Sequence, residues 1–424
     1  MNLEFKRFSF YLFANMGSKV ISVLTTLVLG TMFSEELLGS YGLFLSYVTI
    51  IAAFLGGGAE AIVGKYVVSS KNYQKESLRI LNTVTLLNCL IFSIIIVLLS
   101  LTINDKVDIY FVLLSIATAN CLLWSKYIIR MVKFTEDIKS VPTVILARSF
   151  MILCAIYLSA LIKLEIILIG ALIALVYLIT FIFISQQIKI KFYFKIKSSI
   201  FREVSYEFYS YSLNRVLGFS VVPLQNILLF NMSGPSISGV YFLVVSIGSV
   251  FTIFLQSVSD NVQSWIYRNS KVDQKTDAPV AKVTSKVKFS CFIVTMLSVN
   301  SVSLFNPLLN ETFLKTVYYL PLFLCFALAN FYKNLYLHDF ILNNKNGIKT
   351  ALVTFYFLTS FFAFSFIFGT DDPLIGVFFW LAFTRYISAK CFLFWIKNAS
   401  SNTSFFRIED IYVTLCLINS LIIL

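Results

Sequence analysis

Twelve apolar runs of about 20 residues, joined by mostly short polar connections, dominate this chain. A run of that length crosses a bilayer as a helix. Helices satisfy every backbone polar group within the segment, which open sheets and loops in lipid do not. The approximate limits of the first six runs are Phe8–Phe33, Leu37–Val63, Leu78–Thr102, Val107–Arg130, Thr143–Ile162 and Leu164–Ser185. The second six are Phe208–Met232, Ile237–Val262, Phe289–Leu308, Thr316–Leu342, Thr350–Gly369 and Leu374–Ile396. With 58% hydrophobic and 13% charged residues over 424 positions, the fold class is an all-α polytopic membrane protein. A last apolar stretch, Ile411–Leu424, is short for a span and lies along the surface or forms a thirteenth pass. The basic start, Lys6-Arg7, leads into a first span too long for a cleaved leader.

Charge alternates along the connections. With the N-terminus on the cytoplasmic side, 25 of the 34 Lys and Arg residues fall on inner segments. Three, Lys106, Lys163 and Lys315, fall on outer ones, which are short and acidic. That bias orients the chain with its N-terminus inside and accounts for most of the net charge of +13 without nucleic acid. The seven cysteines all lie in apolar segments, with neither zinc-site spacing nor an outer-loop pair, and read as packing residues.

The chain divides into an N-terminal six-helix lobe (1–186), a basic linker (187–207), a C-terminal six-helix lobe (208–397) and a C-terminal segment (398–424). A weak repeat relates the lobes. Ser18-Lys19-Val20 matches Asn214-Arg215-Val216, and Trp124-Ser-Lys126 matches Phe331-Tyr-Lys333. Gly39-Ser-Tyr41 matches Gly239-Val-Tyr241, and Glu60 matches Asp260, both at an offset of 200. Two lobes of even span number keep one orientation, so the expected symmetry is a pseudo-two-fold along the membrane normal.

Setting aside residues at the span ends, such as Lys126 and Arg130, six basic side chains lie inside the apolar spans: Lys19, Arg148, Arg215, Lys333, Arg385 and Lys390. Only three acids, Glu60, Asp260 and Asp339, lie there to answer them. A charge at a helix centre costs roughly 2.5–3.5 kcal/mol on insertion scales, so an unmatched cationic excess points to a wet cavity for an anion. Lys19 and Arg385 each lie about 16 Å into their helices, and Arg215 occupies the equivalent seventh helix. For Arg148, Lys333 and Lys390, nearer the inner end, snorkelling to the headgroups competes with cavity lining. The acids either pair with the bases or hold a proton or sodium ion that couples to movement. Gly56, Gly57 and Gly58 pack closely or bend the second helix, and Pro223 is the stronger candidate for a kinked span.

Enzyme signals are missing. The stretch Gly58 to Lys65 has one residue too many for a phosphate loop and no Ser or Thr follows the lysine. There is no HExxH or GxSxG, and the lone His338 has no second histidine with which to build a metal site.

Twelve spans, parallel halves and a basic interior resemble the bacterial O-antigen flippases. These form the polysaccharide transporter branch of the multidrug/oligosaccharidyl-lipid/polysaccharide (MOP) exporters. The segment NMGSKVISVLTTLVLGTMFSEELLGSYGLFLSY, Asn15 to Tyr47, carries the resemblance most clearly. The resemblance implies a flippase of the inner membrane. It moves undecaprenyl-pyrophosphate-linked oligosaccharide between leaflets by alternating access, as an antiporter using a proton or sodium gradient, with no other cofactor. The implied partners are that lipid, the surrounding membrane lipids, and the polymerase and chain-length regulator of the same pathway. A multidrug exporter of the superfamily is the nearest alternative, but its usual cationic substrates favour an acidic cavity. A polymerase or acyltransferase is the other, but polymerases of that kind carry large outer loops.

Overall fold

The computed structural model describes residues 14, 17–18, 20–22, 24–67, 72–103, 109–134, 140–186, 191–192, 199–270, 289–298, 300, 311–342, 346–362, 372–397, 413–416 and 418. All regular structure among them is helical. The helices are α1 (Val20–Met32), α2 (Glu35–Val67), α3 (Asn72–Ile103), α4 (Ile109–Phe134), α5 (Ser140–Ile162) and α6 (Ile166–Ser185). They continue as α7 (Ser199–Ser233), α8 (Pro235–Ser270), α9 (Phe289–Ser298), α10 (Glu311–Leu342), α11 (Asn346–Phe362) and α12 (Pro373–Lys397). Eight contain a segment long and apolar enough to cross a membrane. Shorter apolar helices occupy the other four expected spans, α1, α8, α9 and α11. Of the C-terminal stretch, residues 413–416 are helical.

The apolar surface is distributed as lipid contact requires. On α3, Leu90, Ile91, Ile94, Leu98 and Leu99 are exposed, and on α6 so are Leu168, Leu175, Ile182 and Phe183. Hydroxyls along the spans fold back onto the preceding turn, as in Thr25 to Ile21 O at 2.9 Å and Thr180 to Val176 O at 2.8 Å. Such bonds let a polar side chain reside in an apolar span.

The chain forms two compact units, Met1–Gly239 and Val240–Leu424. In the first, α2 is central and packs on α7, α4 and α3, while α6 packs on α4 and α5. One cluster joins Phe44, Val48, Leu55, Ile116 and Leu123; another joins Ala59, Val63, Ile80, Tyr127, Val204 and Phe208. In the second unit α10 and α11 pack on α12. There Tyr241 stacks on Phe378, with ring centroids 5.1 Å apart, and Phe323 meets the same ring edge-on.

The seventh helix begins at Ser199, not at Phe208, so the last nine residues expected in the basic linker are helical. The cause is an apolar stripe, Ile200, Val204 and Phe208, at successive four-residue steps, which packs into the second cluster. Glu207 anchors this extension by accepting a bond from Tyr66 Oη at 2.7 Å. The lobe boundary expected at 187–207 concerns the repeat and the chain's orientation; the compact units divide one helix further on.

One close approach supports the repeat. A β-carbon on Gly39 would lie 1.9 Å from the Pro235 carbonyl oxygen, and one on Gly239 would lie 2.1 Å from the Glu35 carbonyl oxygen. The two contacts exchange under the 200-residue offset, as a local two-fold demands. Backbone cannot move aside as a side chain can. Gly39→Ala and Gly239→Ala are each expected to destabilise the protein by about 1–3 kcal/mol or more. Leu98→Ala on the exposed face of α3 serves as a mild control, and thermal unfolding in detergent reads the difference.

Candidate functional site

The second helix breaks at Gly56, whose backbone leaves the helical region at φ −164°, ψ 22°. A break inside a span strands N–H and C=O groups that lipid cannot satisfy. Two neighbouring helices supply the missing partners. From α3, Asn88 Nδ2 donates to Phe54 O at 3.0 Å and to Leu55 O at 2.6 Å. From α7, Ser212 Oγ accepts from the Gly58 N–H at 2.9 Å. The three glycines each face a different neighbour. A β-carbon on Gly56 would strike Leu123 at 2.5 Å, one on Gly58 would strike Phe208 O at 2.1 Å, and one on Gly57 would press on the Arg215 stem at 3.2 Å.

Arg215 lies across this break. Its Nη2 donates to Glu60 Oε2 as an ion pair, and its Nη1 reaches Gly57 O at 3.5 Å. Its guanidinium carbon sits 5.2 Å from the Phe219 ring centroid. The Arg215 side chain is 24% exposed and that of Glu60 10%, so the pair is closed on one side and reachable on the other. Removing one partner of a buried pair strands the other charge, typically at a cost of about 3–5 kcal/mol.

Further along α7 lies a neutral polar network. Asn226 Nδ2 donates to Ser46 Oγ at 3.1 Å, and Ser238 Oγ donates to Asn226 Oδ1 at 2.8 Å. Ser18 and Ser149 share a buried bond at 2.7 Å between the first and fifth spans.

Of the expected basic residues, Arg148 stands 5.8 Å from the Tyr177 ring centroid, with its Nη1 buried and without a hydrogen-bond partner among the described residues. In the second unit Arg385 is 5% exposed. Its guanidinium stacks 3.7 Å from the Tyr356 ring centroid and 5.4 Å from that of Phe326. Its Nε and Nη1 have no hydrogen-bond partner among the described residues. A cation on two aromatic faces is stabilised without a carboxylate. Lys390 Nζ is 5.7 Å from the Tyr386 ring centroid. Lys19 and the side chains of Lys333, Asp260 and Asp339 lie outside the described residues. Helix α7 runs through Pro223, while the interruption in α2 is at Gly56.

Asn88, Ser212 and Tyr356 were not singled out in the sequence. Asn88 had a readable signal, an amide in the middle of an apolar span. No such signal marks Ser212 or Tyr356, which are ordinary residues until the neighbouring helix is placed.

No protein-family model matches the sequence, and no curated protein matches it. The fold does match solved structures. An inward-facing multidrug-resistance MATE family transporter of the MOP superfamily superposes at a TM-score of 0.66 and 14% identity, over 94% of this chain and 95% of that one. The lipid II flippase MurJ, in an inward closed conformation, gives 0.65 at 16% identity over 97% of both chains. A point mutant of the Vibrio cholerae MATE transporter VcmN gives 0.62 at 11% identity over 95% of this chain and 98% of that one. The protein is a multi-pass membrane protein with the twelve-helix fold of MOP-superfamily transporters.

The bonds at the break give a direct test. Asn88→Ala removes the amide donor from two carbonyls of α2, leaving Leu55 O only the long Cys89 thiol contact at 3.8 Å, and is expected to cost about 1–3 kcal/mol. Hydrogen exchange should accelerate across residues 54–60 while that of α6 stays unchanged.

Proposed function

We propose that this protein is a flippase for an undecaprenyl-pyrophosphate-linked oligosaccharide, the repeat unit of an O-antigen. It carries the unit from the inner to the outer leaflet of the bacterial cytoplasmic membrane. The observation that carries the reading is the sign of the interior charge. Arg215 offers a guanidinium at a break in a span, and Arg385 sits in the core of its unit on two aromatic faces. A diphosphate headgroup needs such cations, because charge-assisted bonds to phosphate oxygens are about twice as strong as neutral ones. The fold likeness to a lipid II flippase supports a lipid-linked substrate.

Glu60 lies 25 residues along α2, about 38 Å at 1.5 Å per residue. On this reading the N-terminus is cytoplasmic and the Arg215–Glu60 pair lies toward the inner leaflet, where the substrate is loaded. Lys19, Arg148, Lys333 and Lys390 extend the cationic path. Movement is by alternating access, coupled to a proton or sodium ion through Glu60, Asp260 or Asp339. The polymerase and chain-length regulator of the pathway receive the product on the outer face. The MATE likeness favours a multidrug exporter as the second reading, but cationic drugs and an arginine-rich interior repel each other.

In cells lacking the protein, the lipid-linked oligosaccharide should accumulate on the inner face. Restoring the gene should clear it. Lys19→Ala, Arg215→Ala and Arg385→Ala should each slow clearance by about tenfold, equivalent to about 1.4 kcal/mol, while the protein still inserts. Normal clearance by all three single variants and by the triple variant would remove the cationic-path argument.

A further inference from the structure

The Arg215–Glu60 pair joins a group suited to an anion with a group suited to a cation, and this inference rests on the transport reading above. Arg215 Nη2 is committed to Glu60 Oε2 and Nη1 to Gly57 O. A diphosphate oxygen that engages the Arg215 guanidinium competes with the Glu60 carboxylate. A proton or sodium ion on Glu60 competes with Arg215. Each ligand therefore opens the same bond, and the second to arrive no longer has to break it.

Arg215 is the hydrogen-bond and ion-pair partner described for Glu60. From α7 it faces Arg215, with Tyr211 and Glu207 one and two turns nearer the linker, and Glu207 already accepts from Tyr66. On α4, Leu123 abuts Gly56, so Lys126 and Tyr127 lie near the level of Glu60, and Tyr127 Oη is spent on Asn82 at 2.5 Å. On α3 the nearest charge is the exposed Arg79, on α6 the only titratable group is Tyr177, and on α2 itself Lys65 and Tyr66 follow. When an anion takes Arg215, Glu60 becomes a carboxylate of 7% exposure without its cation, an expensive state that a bound cation relieves.

We infer that Glu60 takes its proton or sodium ion together with the anionic substrate, not in exchange for it. The two binding events reinforce each other, by the same factor in either direction. Exchange with an opposing ion then falls to another group, and Asp260, the repeat counterpart of Glu60, is the first candidate.

The test is binding of farnesyl diphosphate to the purified full-length protein in detergent. Titrations run from mildly alkaline to mildly acidic pH, and with sodium replacing a bulky organic cation at constant ionic strength. The wild-type affinity, relative to Glu60→Gln, should rise by about tenfold as protons or sodium are added. The acid arm identifies a proton and the salt arm a sodium ion. Glu60→Gln should bind tightly and lose the dependence, because a neutral amide holds Arg215 more weakly than a carboxylate and takes neither ion. The lipid's own protonation affects both proteins alike and cancels in the ratio. Should Glu60→Gln fail to fold, calorimetry on the wild type in buffers of differing ionisation heat decides. Proton uptake on binding, or tighter binding in sodium, supports the inference; release of protons with no gain in sodium overturns it. Wild-type affinity that falls relative to Glu60→Gln, or a dependence that survives the substitution, sinks the linkage and leaves the transport reading standing. No binding by either protein sinks both.

Discussion

A helix that breaks inside a membrane must hand its unsatisfied backbone groups to its neighbours, and α2 does so at Gly56. Asn88 takes two carbonyls and Ser212 takes an N–H. Those bonds bind α3 and α7 to the break and leave little freedom in where α7 sits. Once Ser212 is placed against Gly58, Arg215 one turn later must lie over Gly57 and Glu60. The ion pair thus follows from the backbone interruption, and the absence of a β-carbon at Gly57 spares the arginine stem a tight contact at 3.2 Å.

The two units solve the problem of a buried cation differently. In the first, Arg215 has a carboxylate within reach and one side open. In the second, Arg385 has aromatic faces and no carboxylate among the described residues. The first arrangement responds to any ligand that competes for either partner. The second has no described carboxylate for a ligand to displace. A carrier of an anionic headgroup has use for both, a responsive cation where substrate is loaded and a standing positive charge that does not depend on loading.

Much of this was legible in the residues. Twelve apolar runs reported the spans, and the 200-residue offset matched Gly39 with Gly239, whose close approaches the structure makes reciprocal. Glu60 and Arg215, both flagged by charge, meet as an ion pair, one of the two roles left open for the acids. Their pairing was not readable, because nothing in a linear pattern says which faces of α2 and α7 oppose each other. The start of α7 was missed because a basic composition masked the apolar spacing of Ile200, Val204 and Phe208. Proline drew more suspicion than glycine as a helix breaker, yet α7 runs on through Pro223 while α2 breaks at Gly56. A single proline forfeits one backbone bond, whereas at Gly56 the neighbouring helices supply partners for the groups that the break exposes.

Reconstitution into liposomes tests most directly whether the interior selects a lipid-bound anion. A fluorescent diphosphate-linked oligosaccharide lipid is placed in one leaflet, and its arrival in the other is read with an impermeant quencher. A lipophilic cationic dye runs in parallel. The account predicts protein-dependent movement of the diphosphate lipid, sharply slowed by Arg215→Ala, with the dye left behind. Transport of the dye with the diphosphate lipid stationary would contradict it.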